Sequence, residues 1–190
     1  NCGWGNNVMR TIGPTMQEVL HKIVRIGIAG AALVFSLSAI AGPQGGQVVS
    51  GQATITNPNA NTTVINQQSN RAVIDWTSFN VAPNQSVNFQ QPSVSAAALN
   101  RIFDQNPSQI LGSINANGQV YLLNPNGIVF GKSAAVNVGA LFATGLNISD
   151  SDFMAGKLDF SGGNGAVINH GLLQATQGGS INLIGSQVFN

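Results

Sequence analysis

The sequence predicts an all-β fold wound as a parallel β-helix, a solenoid of short strands, and three observations carry that prediction. The first is composition: of 190 residues only 7% are charged and 6% aromatic, while Gly and Asn contribute 23 each and Gln 15. Soluble domains average roughly 25% charged residues, so this surface is built from amides, Ser and Thr in place of the Lys and Glu that favour helices. The second is patterning: from Gly42 onward, β-rich segments of about five residues alternate polar with apolar and are broken by Asn, Gly, Pro, Ser or Gln. The third is repetition. Val167-Ile168-Asn169 returns as Val188-Phe189-Asn190, an offset of 21 residues, and Ala135-Val136-Asn137 with Gly139 to Thr144 is echoed by Ala166-Val167 with Gly171 to Thr176. A coil of about twenty residues fits both. An antiparallel sandwich, the rival all-β architecture, gives turns but no reason for a repeat.

The first forty residues read as an address. Ile26 to Ile40 (IGIAGAALVFSLSAI) is apolar, His21, Lys22 and Arg25 precede it, and Ala39-Ile40-Ala41 follows. Basic, apolar and small-x-small segments in that order make a signal peptide with cleavage after Ala41. The run of 15 residues falls short of the ~20 that a permanent bilayer span needs. Residues 1–41 are therefore expected to be a helical leader with its apolar region at 26–40, and 42–190 the β-helical domain. Cys2 lies upstream of the apolar run, so no lipid anchor is indicated, and a mature part without cysteine suits an oxidising, extracytoplasmic setting.

Within 42–190 the candidate strands are Ala53 to Thr56, Thr62 to Ile65, Ala72 to Trp76, Ser86 to Phe89, Gln119 to Leu123, Ile128 to Phe130, Ala135 to Val138, Ala166 to Ile168, Ser180 to Ile184 and Gln187 to Phe189. Ala96 to Phe103 (AAALNRIF) is the one helix-leaning stretch. A formal net charge of +1 without a basic cluster is too little to neutralise a row of phosphates, which argues against nucleic acid. Two His, six acids and one Cys leave little for a metal cage, and no cofactor is expected. Gly131-Lys132-Ser133 has the ending of a phosphate loop, but Asn126 stands where the first Gly is required and β-rich sequence follows where a helix should.

Two other function classes compete. Asp150 and Asp152 offer paired carboxylates for a polysaccharide-degrading enzyme or for calcium if they lie on one strand face, although ISDSDF also reads as a solvated turn. An adhesive surface for host-cell or bacterial-surface carbohydrate or protein is the third class; Trp76 and Tyr121 read as core or capping residues and not as a sugar platform.

Asn124-Pro125-Asn126-Gly127 between VYLL and IVF is a turn with a mechanism. Pro125 pre-sets φ, Asn126 or Gly127 accepts a positive φ, and the Asn124 amide can bond the backbone two residues on. In context, NGQVYLLNPNGIVFGKSAAVNVGALFAT resembles the N-terminal secretion domain of the filamentous haemagglutinin family of exoproteins. AVIDWTSFNVAPNQSVNFQQPSVSAAALNRI and PSQILGSI before it, and ISDSDFMAGKLDFSG after it, extend the resemblance from about Gln52 to Asn190. The resemblance implies a right-handed parallel β-helix and two-partner secretion, with recognition by an outer-membrane transporter and release from a Gram-negative cell through periplasm and outer membrane. It implies a non-catalytic domain that nucleates β-helix folding and lies at the N-terminus of a large adhesin-like exoprotein. Asn124, Pro125, Asn126, Gly127 and Ile128 match the family's NPNGI motif and are either transporter-recognition residues or a structural turn. The family's NPNL motif has only Asn57-Pro58-Asn59-Ala60 as a counterpart, which departs at its fourth position and is not given that role. The last residues fall inside the 21-residue repeat without a polar cap, so further coils are expected past Asn190.

Overall fold

A computed structural model describes residues 42–190; the expected leader, with its cleavage site, lies outside the described residues. The described chain opens with β1 (Gln47–Ser50) and β2 (Ala53–Asn59), then winds through five coils. The first is β3 (Thr62–Gln67) and β4 (Arg71–Trp76), closed by a bridge from Val81 to Ile110. The second is β5 (Ser86–Gln90), β6 (Ala97–Ile102) and β7 (Ser108–Ile110), and the third β8 (Ser113–Ala116), β9 (Gln119–Leu123) and β10 (Ile128–Phe130). The fourth is β11 (Ala135–Val138), β12 (Ala140–Thr144) and β13 (Val167–Asn169), and the fifth β14 (Leu172–Ala175), β15 (Ile181–Ile184) and β16 (Val188–Phe189). Between β12 and β13 an excursion carries the short helix α1 (Asp150–Met154).

The strands stack into three walls: a first sheet β1-β4-β6-β9-β12-β15, a second β16-β13-β10-β7 and a third β14-β11-β8-β5-β3-β2. Within the solenoid every neighbour pair is parallel; only β1 on β4 and β2 on β3 are antiparallel, covering the edge of the first coil. Stacking places like on like. Val87, Ile114, Val136 and Leu173 form one inward column of the third sheet, and the first three are no more than 1% exposed. The alternation that marked Ser86 to Phe89 as a strand thus has a direct cause: Val87 and Phe89 point into the core and Ser86 and Asn88 away from it.

The repeat is the coil itself, for Val167 pairs with Val188 and Ile168 with Phe189. The second echo is out of register. Ala135 to Val138 stacks on Leu172 to Ala175, and Leu141 to Thr144 on Ile181 to Ile184, because the excursion lengthens the fourth coil and displaces any spacing read across it.

Ala96 to Phe103 corrects the helix-leaning reading: its core is β6, between β4 and β9 in the first sheet. Ala97, Ala98 and Leu99 are all fully buried, since Ala98 faces the solenoid core while Ala97 and Leu99 face a second apolar cluster outside it. A strand covered on both sides loses its alternation, and a short continuous apolar run cannot be told from a helix by period. Asn100 points into the same core with its amide fully used, accepting from Trp76 Nε1 at 3.0 Å and donating to the Tyr121 carbonyl at 3.1 Å.

Candidate functional site: the NPNGI corner

Asn124 to Gly127 turns the third coil from the first sheet into the second. Gly127 N–H donates to the Asn124 carbonyl at 2.9 Å, closing the turn, and Asn126 N–H donates to Asn124 Oδ1 at 2.9 Å. These are the backbone and side-chain bonds that Asn-Pro-Asn-Gly predicts. The positive φ falls on Gly127, at 108°. A Cβ there would stand 2.8 Å from the Ala166 carbonyl oxygen, so both conformation and space demand glycine.

The corner is stitched to the coils on either side. Asn124 Nδ2 donates to the Asn106 carbonyl at 3.1 Å and to Ser108 Oγ at 3.0 Å, while Asn126 Nδ2 donates to the Asp104 carbonyl at 2.7 Å. Toward the fourth coil, Asn124 N–H donates to the Thr144 carbonyl at 3.0 Å and Ile128 N–H to the Ala166 carbonyl at 2.9 Å. Asn106, Ser108, Thr144 and Ala166 are therefore parts of the site, although no short motif marks them. Their role follows from coil register, which becomes visible only once the strands are stacked.

Exposure divides the five motif residues. Asn124 is 0% and Ile128 1% exposed, and Gly127 is buried; Pro125 is half-buried and Asn126 alone lies open to solvent. The corner holds no nucleophile and no charged side chain of its own. What it can offer a partner is shape, one amide and a proline ring.

The paired-carboxylate reading is corrected by geometry. Asp150 and Asp152 lie on α1 and not on a strand, and their carboxylates serve different partners. Asp150 Oδ1 accepts from Arg101 Nη1 at 2.6 Å, and Arg101 also reaches Asp75 at 2.8 Å. Asp152 Oδ2 accepts from Ser149 Oγ at 2.6 Å, and Ser149 Oγ accepts from Asp152 N–H at 3.1 Å, a reciprocal cap. Burial works against the Arg101 charge, but its hydrogen bonds to the Asp150 and Asp75 carboxylates, with their negative charge, outweigh it and raise its pKa. Trp76 and Tyr121 are each 2% exposed and belong to the two apolar clusters, as read from the sequence. The residues after Lys132-Ser133 form β11, so no helix N-terminus faces that turn.

Comparison with known proteins places this geometry. A family model described as the TPS secretion domain, TPS standing for two-partner secretion, matches residues 39–190. The solved structure of the HMW1 secretion domain from Haemophilus influenzae matches with a TM-score of 0.73 and 38% sequence identity, covering 77% of this chain and 40% of that one. Two heme/hemopexin-binding proteins of Haemophilus influenzae, one from strain Rd, are each 44% identical over 102 residues, 54% of this chain. The matched stretch is 11% of those proteins, so the chain corresponds to a small part of their length. A solenoid of stacked coils, the NPNGI corner and a family match over most of the chain agree: the chain belongs to the TPS secretion domain family and is the secretion-targeting domain of a two-partner exoprotein.

Proposed function

We propose that an outer-membrane two-partner secretion transporter recognises the NPNGI corner through Asn126 and Pro125, while Asn124, Gly127 and Ile128 hold its shape. The division of exposure within the motif carries this reading: three residues are spent inside the solenoid and two face out. The domain acts without catalysis, as a docking and folding unit. The leader to Ala41 is removed at the inner membrane, and the protein passes through periplasm and outer membrane to the cell surface or the medium. Cargo activities of the complete exoprotein, including ligand binding of the kind named in the heme/hemopexin-binding relatives, lie beyond residues 42–190.

The test separates docking from folding. Asn126→Ala removes the exposed amide and one bond to Asp104 and leaves the turn's own two bonds, a net cost of about 1 kcal/mol. Secretion by cells carrying the transporter should fall steeply while the purified variant keeps its β circular dichroism and melts within a few degrees of wild type. Asn124→Ala is the contrast, since it strips the buried Ser108 hydroxyl and Asn106 carbonyl of their partner and should lower melting and secretion together. Normal secretion of Asn126→Ala, and of Pro125→Ala beside it, would overturn the recognition role.

A further inference from the structure

The chain has three Asn–Gly steps, at Asn117-Gly118, Asn126-Gly127 and Asn164-Gly165. This dipeptide rearranges readily, because glycine has no Cβ to hinder attack by its own backbone nitrogen on the preceding side chain. The fold treats the three unequally. Asn117 is held twice by the Gln91 backbone, accepting from its N–H at 2.8 Å and donating to its carbonyl at 2.7 Å, and Gly118 N–H donates to Gln91 Oε1 at 3.0 Å. Asn126 donates to the Asp104 carbonyl at 2.7 Å, and Gly127 N–H, the would-be nucleophile, donates to Asn124 at 2.9 Å. Asn164 is exposed, and neither its side chain nor the Gly165 N–H makes a hydrogen bond among the described residues. Only its carbonyl is engaged, accepting from Ser186 Oγ at 2.8 Å.

We propose that Asn164-Gly165 is a self-modification site at which the folded domain converts asparagine to a mixture of aspartate and β-linked isoaspartate. Hydroxide takes the Gly165 amide proton, and the nitrogen attacks Asn164 Cγ. The new C–N bond closes a succinimide while the Cγ–Nδ2 bond breaks and ammonia leaves with a solvent proton. Water then opens the ring at either carbonyl, and opening at the backbone carbonyl leaves the main chain one carbon longer. No oxidant or cofactor enters.

The position gives the reaction a consequence. Gly165 backs the NPNGI corner so tightly that a Cβ on it would stand 2.5 Å from Gly127 N and 2.8 Å from the Asn124 carbonyl oxygen. An added main-chain carbon between Asn164 and Gly165 lengthens the chain next to this close contact, so it should shift the Ala166 carbonyl that receives Ile128 N–H and loosen the corner. Residue 164 thus couples the age of the protein to the shape of its secretion motif.

The experiment is peptide mapping by mass spectrometry of the folded domain held at mildly alkaline pH, with isoaspartyl methyltransferase labelling to identify the β-linked product. Because Asn117 and Asn126 must first break two or more hydrogen bonds, Asn164 should convert at least about tenfold faster than either in the folded state. In urea the three should convert at similar rates. Asn164→Gln should abolish labelling at that peptide without altering the other two or the melting temperature. Equal folded-state rates at all three steps, or conversion of Asn126 ahead of Asn164, would overturn the proposal. The outcome is independent of whether a transporter reads Asn126, since no transporter is present.

Discussion

The outward columns of the first and third sheets come from the same coils and the same alternation, yet they are made of different chemistry. In the first sheet Val73, Leu99, Tyr121 and Phe142 stack outward, with the Tyr121 and Phe142 rings parallel at 4.5 Å. In the third sheet the corresponding column is Val64, Asn88, Asn115, Asn137 and Gln174. What differs is cover. The excursion between β12 and β13 lays Ile148, Phe153, Met154 and Phe160 over the first sheet, and nothing lies over the third among the described residues. Where the covered column reaches the fifth coil its next member is Asn182, bonded to Ser180 Oγ at 2.9 Å, so the chemistry changes with the cover and not with the sheet. A solenoid wall can be given a second core wherever one coil donates a strap, and an amide ladder suffices where none does.

Phe153 is the centre of that second core: it is fully buried, edge-on to Tyr121 at 5.2 Å, and lies beneath Arg71, whose guanidinium is 5.0 Å above the ring and donates to the Phe153 carbonyl at 3.0 Å. Phe153→Ala should cost about 3–5 kcal/mol. Loss on this scale would release the strap, lower the melting temperature by more than any other change discussed, and expose the apolar column to a hydrophobic dye. A small shift in melting with no dye binding would mean that the first sheet holds without its cover.

These two walls also mark where sequence was readable and where it was not. The third sheet has one wet face, and Ser86 to Phe89 and Ala135 to Val138 alternate cleanly, with bounds that match β5 and β11 to a residue, while Ala53 to Thr56 stops three residues short of the end of β2. In the first sheet Ala72 to Trp76, Gln119 to Leu123 and Ser180 to Ile184 also show themselves as strands, whereas cover on both sides makes Ala96 to Leu99 a continuous apolar run and leaves Ala140 to Thr144 unmarked. Ser108 to Ile110 and Ser113 to Ala116 are short and lack a flanking turn as distinct as the Asn-Pro-Asn-Gly that marks the equally short Ile128 to Phe130, and Leu172 to Ala175 is found only through the register of β11. For the candidate site, Asn-Pro-Asn-Gly fixes its own turn through local bonds and was legible for that reason. The partners of the Asn124 side chain on the coil before and of Ile128 on the coil after are set by stacking, which no local pattern encodes.

A subtler probe of the covered wall is its phenol. Burial raises the Tyr121 pKa above the ordinary 10.0, and the Arg71 charge offsets part of the rise. Tyr121 is the chain's single tyrosine, so phenolate absorbance reports on it alone. A phenol whose folded pKa lies above its unfolded value contributes full stability below the unfolded pKa and loses it as pH rises through the folded one. The titration midpoint of the folded domain should therefore lie above that of the urea-unfolded chain, and melting should decline in the same alkaline window. Coincident midpoints would mean that water reaches the phenol and that the cover is looser than its packing implies.

The smallest effect belongs to the open wall. Asn115 Nδ2 donates to Asn88 Oδ1 at 2.9 Å, one rung of the amide column, and both side chains are half-buried. Asn115→Ala removes that rung where solvent can replace it. The net value of a hydrogen bond whose partners can turn to water is at most about 1 kcal/mol, and alanine keeps the strand's inward Ile114 in place. A shift of a degree or two in melting, with unchanged circular dichroism, is the expected result. A loss approaching that of Phe153→Ala would show that the ladder acts cooperatively across coils, as a hydrogen-bonded column, and would erase the energetic contrast between the two walls.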